Sequence, residues 1–73
     1  MKVDTVNVIQ YVDDSVTEVV SFTNDEQGVK EAEEYFKKVI KEDDPDVTEN
    51  EMEMFIEDGY YEQGDFQVFI VRP

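Results

Sequence analysis

Residues 23 to 45, "TNDEQGVKEAEEYFKKVIKEDDP", form the stretch that decides the fold. Its apolar residues recur mainly at spacings of three and four, which places them in one stripe along a helix. The stripe consists of Val29, Ala32, Phe36, Val39 and Ile40. Thr23 followed by Glu26 fits a capping box at the start, and Pro45 prevents the helix from continuing beyond Asp44. We therefore predict one long amphipathic helix.

Before this helix, the sequence predicts a β-hairpin. Residues 5–12 and 16–22 are rich in β-branched and aromatic side chains, and Asp13-Asp14-Ser15 between them is typical of a turn. Strict alternation would place Val16 on the same face as Val20. Neither strand is apolar on one face alone.

After the helix, Thr48 and Glu51 repeat the capping-box pattern, and Gly59 suits a left-handed position at a helix end. The segment between them predicts a short second helix with an apolar patch: Met52, Phe55 and Ile56. We interpret "YYEQGD" (60–65) as a turn or loop. "FQVFIVRP" (66–73) predicts a terminal strand with apolar residues on both faces.

These elements predict one α+β domain spanning residues 1–73: β-hairpin, long helix, short helix and C-terminal strand. We expect a three-stranded, mostly antiparallel sheet with the helices packed across one face. Because the hairpin keeps the first two strands adjacent, we expect the terminal strand at an edge. The helices would cover the side that Phe66, Val68 and Ile70 face, or the opposite side.

The composition argues against catalysis and bound cofactors. The 73 residues include no cysteine and no histidine, which removes the thiolate nucleophile, the usual neutral-pH base and the commonest metal ligands. No phosphate-binding or nucleophile-elbow motif is present. The acidic run does not fit a calcium loop, because Glu49 and Phe55 occupy the positions that need glycine and glutamate. We expect a non-enzymatic protein with no cofactor and no metal site.

The net charge of −14 is concentrated in residues 42–65, which carry eleven carboxylates and no lysine or arginine. Four of the six basic residues fall on the long helix, so the second helix and its flanks are expected to form an acidic surface. Its predicted contributors are Asp43, Asp44, Asp46, Glu49, Glu51, Glu53, Glu57 and Asp58. One interpretation is solubility. The other is docking on a basic protein, with no direct binding to nucleic acid or membrane, which carry the same sign of charge.

Two further features have open interpretations. Tyr60 and Tyr61 are possible aromatic contacts for a partner. In the alternative interpretation Tyr60 plugs the end of the core and Tyr61 half-covers an edge. The terminal strand, apolar on both faces, could pair with a second copy to give a homodimer, or be covered within the chain.

The first residues lead into an interrupted apolar stretch with no long hydrophobic core of a signal peptide, and no run is long enough to span a membrane. We therefore expect a cytoplasmic protein.

The runs "VVSFTNDEQGVKEAEEYFKKVIKE" (19–42) and "TENEMEMFIEDGYYEQGDFQVFIV" (48–71) resemble small proteins encoded by phages and prophages of Gram-positive bacteria, including the SPβ-type prophage of bacilli. The resemblance covers nearly the whole chain through structural motifs, the AEEYF helix and the glycine turn. It implies a protein that binds and inhibits a host factor, and it carries no catalytic residue to this sequence.

Overall fold

The computed structural model describes residues 4–73 and has a four-stranded antiparallel sheet with two helices. In chain order the elements are β1 (Thr5–Val12), β2 (Ser15–Thr23), α1 (Glu26–Asp43), α2 (Glu49–Asp58), β3 (Tyr60–Gln63) and β4 (Phe66–Val71). The strand order is β2-β1-β4-β3. The α+β class and both helices are confirmed, whereas the sheet has one strand more than predicted. Met1–Val3, at the start of the segment in which we expect no signal peptide, lie outside the described residues.

The predicted hairpin is present as β1 and β2. Asp13 and Asp14 in its turn both have positive φ, at 52° and 66°, which matches the right-handed twist of the flanking strands. The register shifts next to Gln10, so that Tyr11 pairs with Val16. This bulge places Val16 on the face opposite Val20, which corrects the strict alternation expected from the sequence.

Helix α1 begins later than the predicted capping box implies. The N-cap is Asp25, whose Oδ1 accepts a hydrogen bond from the backbone N–H of Gly28 at 2.7 Å. Thr23 supports this cap, because its hydroxyl lies 3.0 Å from the same carboxylate oxygen. The predicted pairing of Thr23 with Glu26 is therefore wrong, although the apolar stripe is correct, with all but the half-buried Val29 fully inside.

Helix α2 has both ends as the sequence predicts. The Thr48 hydroxyl accepts from the backbone N–H of Glu51 at 3.2 Å, and the Glu51 carboxylate accepts from the backbone N–H of Thr48 at 3.0 Å. At the other end Gly59 adopts φ 86°, and its N–H donates to the Phe55 carbonyl at 2.8 Å. This left-handed residue turns the chain directly into β3.

The terminal strand β4 lies inside the sheet, which corrects its predicted edge position. Residues 60–63, expected to be loop, form β3 and pair with β4 through a turn in which Gly64 has φ 61°. Because β1 occupies the other side of β4, both backbone edges of β4 are paired. The edges of the sheet are β2 and β3.

The core lies between the helices and one face of the sheet. On the sheet side it contains Val6, Val8, Val68 and Ile70, and on the helix side Phe36 and Ile40 are fully enclosed. Of the two sides that the sequence left open, the helices therefore cover the one that Val68 and Ile70 face. Within the part of the chain that the structure describes, nothing covers the other face of the sheet. Neither helix in that part is long and apolar enough to cross a bilayer.

Candidate functional site

The acidic surface predicted around α2 is divided by a lysine from the neighbouring helix. Lys37 Nζ on α1 lies 2.8 Å from Glu53 Oε1 and 3.7 Å from Glu49 Oε2. The hydrogen bond that Lys37 donates to Glu53, followed by the charges of Glu53 and Glu49, raises the pKa of Lys37. The first two turns of α2 are therefore partly neutralised.

Three other predicted acids shape the connection between the helices or the start of α2. Asp43 accepts a hydrogen bond from the Tyr61 hydroxyl at 2.7 Å, and Asp44 Oδ1 accepts from the backbone N–H of Asp46 at 3.2 Å. Glu51 completes the cap of α2. These carboxylates have local structural roles in addition to their charge.

The acids left for a partner are Asp46, Glu57 and Asp58. All three are exposed, and the ion pairs found among residues 4–73 involve other carboxylates. Glu57 and Asp58 lie in the last turn of α2, which contains no basic residue. A negative charge at that end opposes the helix dipole, so these two charges destabilise the helix that carries them.

The two adjacent tyrosines point to opposite sides of the sheet. Tyr61 is 3% exposed, packs edge-to-face against Phe55 with ring centroids 5.0 Å apart, and its hydroxyl lies within 2.7 Å of Asp43 and 2.6 Å of Gln63. Tyr61 therefore fills the core, which corrects the alternative interpretation that placed Tyr60 there. Tyr60 is 47% exposed on the uncovered side, and it alone of the two has the accessibility that a partner contact requires.

Tyr61 also makes the free energy of unfolding depend on pH in the alkaline range. Burial, then the hydrogen bond to Asp43 and the nearby charges of Asp43 and Asp44, raises the pKa of Tyr61 well above 10.0. Above about pH 10 the unfolded chain therefore loses this proton while the folded chain retains it, so the free energy of unfolding falls with rising pH.

We expect Tyr61→Phe to reduce that fall by up to about 1.4 kcal/mol per pH unit. Urea unfolding followed by circular dichroism between pH 8 and about 11.5 would measure both slopes. Burial also raises the pKa of Tyr35. The variant should therefore keep part of the decrease in stability with pH. Equal slopes in the two proteins would contradict the role of Tyr61.

The uncovered face of the sheet, here called the open face, includes three rows that each cross three or four strands. They are Ser21–Asn7–Val71, Val19–Ile9–Phe69–Tyr60 and Val16–Tyr11–Gln67–Glu62. The middle one, the central row, is apolar or aromatic in all four strands. The ring of Phe69 in this row stacks on Tyr60 with centroids 5.9 Å apart and forms a T-shaped pair with Tyr11 at 5.5 Å.

The open face is almost free of charge. Among residues 4–73, Glu62 at one end of the last row is its single ionisable carboxylate, and Gln67 donates a hydrogen bond to it at 3.1 Å. In a chain of net charge −14, the other acids lie on the helices and turns, except Asp4 before β1 and Glu18 on the helix side of β2. This face was not predicted from the sequence, although apolar residues on both sides of the strands indicated it.

A groove of about 360 Å³ lies between the helices. Lys37, Lys38 and Lys41 line it together with three glutamates and Met52, so its charges are mixed. Among the described residues, no three acidic side chains are grouped so that they could hold a metal ion.

No protein-family model, curated protein or solved structure matches this chain.

Proposed function

We propose that this chain is a non-enzymatic protein-binding module whose acidic surface docks on a basic protein, in particular one that binds nucleic acid. The resemblance to phage and prophage proteins makes a host protein the expected partner. Self-association is the alternative function.

The observation that carries the proposal is the position of Glu57 and Asp58 at the C-terminal end of α2. Solubility requires acidic residues somewhere on the surface but gives no reason to place two where the helix dipole disfavours them. A binding role does give a reason, because sites for partners often retain groups that reduce stability.

Long-range attraction would bring the partner to this surface. The net charge of −14 accelerates encounter with a basic protein, and the effect weakens as salt screens the charges. If the partner's basic surface is its nucleic-acid site, DNA and this chain compete for it.

The test compares three tagged proteins in capture from nuclease-treated bacterial lysate, washed at about 0.1 M and then about 0.5 M salt. They are the wild type, the double variant Glu57→Lys/Asp58→Lys, and the control Glu31→Lys/Glu34→Lys, which makes the same change of net charge on α1. We expect a stoichiometric partner that salt releases and added DNA displaces. The α2 variant should bind that partner at least tenfold more weakly than the control does.

Measuring the stability of the α2 variant distinguishes a loss of binding from a loss of folding. Removing two adverse charges from the last turn should raise the free energy of unfolding of the α2 variant by about 0.5–1 kcal/mol. A variant that is more stable and still binds as the control does would contradict docking through α2. A partner that resists 0.5 M salt would contradict an electrostatic contact.

A further inference from the structure

The open face is the largest feature of the fold that the proposed function does not use. Its central row crosses all four strands, with Val19 53% and Tyr60 47% exposed at its two ends. Exposed apolar patches of this kind mark interaction sites in proteins. We infer that a second copy of this chain docks on the open face, so that two sheets stack face to face with the helices outside.

The size of the face suits a reversible dimer. Four strands about 4.8 Å apart and three rows about 6.8 Å apart give a footprint of roughly 400 Å² on each copy. The two copies together would bury about 800 Å² of surface, or somewhat more because side chains make the real surface larger than its flat projection. This lies below the area of permanent dimers and in the range of weak, concentration-dependent association.

Charge selects a second copy as the occupant. A face with one carboxylate offers almost nothing to a basic partner, and it fits a surface that is itself flat, apolar and uncharged. Every other copy of the chain in solution presents such a surface. Contact through the helical side would instead bring Glu57 and Asp58 against the same acids of the other copy.

Stacking through the open face also keeps the acidic layers apart. Packed sheets lie about 10 Å from each other, and each helical layer lies on the far side of its own sheet. The α2 acids of the two copies would therefore be separated by more than about 20 Å, beyond the screening length of about 8 Å at physiological salt.

The turns indicate how the two copies are oriented. The backbone N–H of Asp13 donates to the carbonyl of Asp65 at 3.0 Å, so both hairpin turns and their carboxylates lie at the same end of the sheet. Glu62 lies in the row nearest to that end. A two-fold axis that sets the strands of the copies in opposite directions keeps these acidic ends apart.

The test is the mass of the full chain by sedimentation equilibrium and light scattering from about 10 µM to 1 mM. We expect the mass to rise with concentration from 8.6 kDa toward twice that value. Because the contact is apolar and the repulsion is screened, the dissociation constant should fall several-fold between about 0.1 M and 0.5 M salt. This response is opposite to that of the acidic docking surface, so either proposal can fail without the other.

Substitutions at the two ends of the central row identify the contact. Val19→Lys on β2 and Tyr60→Lys on β3 should each weaken self-association at least tenfold, since each places buried like charges at the interface. Met54→Lys is the matched control, because Met54 on α2 is 51% exposed and the change in net charge is equal. The control should dimerise as the wild type does.

A wild type that stays at the monomer mass at both salt concentrations overturns the inference. Loss of dimer in only one of the two row variants also overturns it, because that pattern indicates edge pairing of a single strand. Circular dichroism establishes that each variant is folded, and the two positions lie on different edge strands, so failure of one variant to fold leaves the other as the test.

Discussion

Replacement of Phe36 by alanine is expected to lower the free energy of unfolding by about 3–5 kcal/mol. Phe36 is fully buried at the centre of the α1 stripe and belongs to the same core cluster as the buried side chains of β1 and β4. A chain of this length has a total stability on the order of 4–11 kcal/mol. The substitution therefore removes a large fraction of it, and we expect a substantially unfolded population at 37 °C.

Urea or thermal unfolding followed by circular dichroism would measure this loss. Met54→Ala is the control, because it also removes a large apolar side chain, but from a position exposed to solvent on α2. Its effect should remain within about 0.5 kcal/mol of the wild type. Similar losses in the two variants would show that the core is not organised around the α1 stripe.

Gly28→Ala is expected to destabilise the protein, against the general rule for helices. Alanine in place of glycine inside a helix normally stabilises by about 0.5–1 kcal/mol. Here an added Cβ would overlap the carbonyl oxygen of Thr23 and lie 2.6 Å from its carbonyl carbon. Because the obstacle is backbone, a side-chain rotation cannot relieve it, and we expect a net loss of about 1–3 kcal/mol or more.

The close approach at Gly28 comes from the Asp25 cap, which draws the end of β2 onto the first turn of α1. Gln27→Ala changes the neighbouring exposed helix residue and should shift stability by less than about 0.5 kcal/mol. The same unfolding measurements apply. A Gly28→Ala protein more stable than the wild type would contradict the contact between β2 and the helix start.

The local parts of the fold were predictable from the sequence, because their determinants are close together in the chain. The spacing of Phe36, Val39 and Ile40 identified the buried side of α1, and Thr48 with Glu51 located the start of α2. The two aspartates of the first hairpin identified its turn. In each case the residues that form the local structure are the same neighbouring residues whose pattern predicts it.

The sheet was harder to predict, because its order depends on pairing between distant segments. Tyr60–Gln63 is short and half polar, so its character as a strand comes from pairing with β4. Once β3 folds back on one side of β4, only the other side remains for β1. The N-cap of α1 was also assigned incorrectly, since Asp25 lies between two residues that match a capping box by spacing alone.

The candidate site was predictable in composition and not in geometry. The sequence located the excess of acids, but the pairing of Lys37 with Glu53 joins two helices and depends on how they cross. The opposite positions of Tyr60 and Tyr61 follow from the strand that contains them. Since that strand was not predicted, the open face on which Tyr60 lies was not predicted either.

The central position of β4 has a consequence for the order in which the sheet can form. β1, β2 and both helices precede residues 66–71 in the chain, and until β4 is in place β1 has one strand edge and part of its apolar surface exposed. The sheet closes only when β4 inserts between β1 and β3, which joins segments almost the whole chain length apart. Such distant pairing slows folding, and until it forms the net charge of −14 opposes association of neighbouring copies through the unfilled edge.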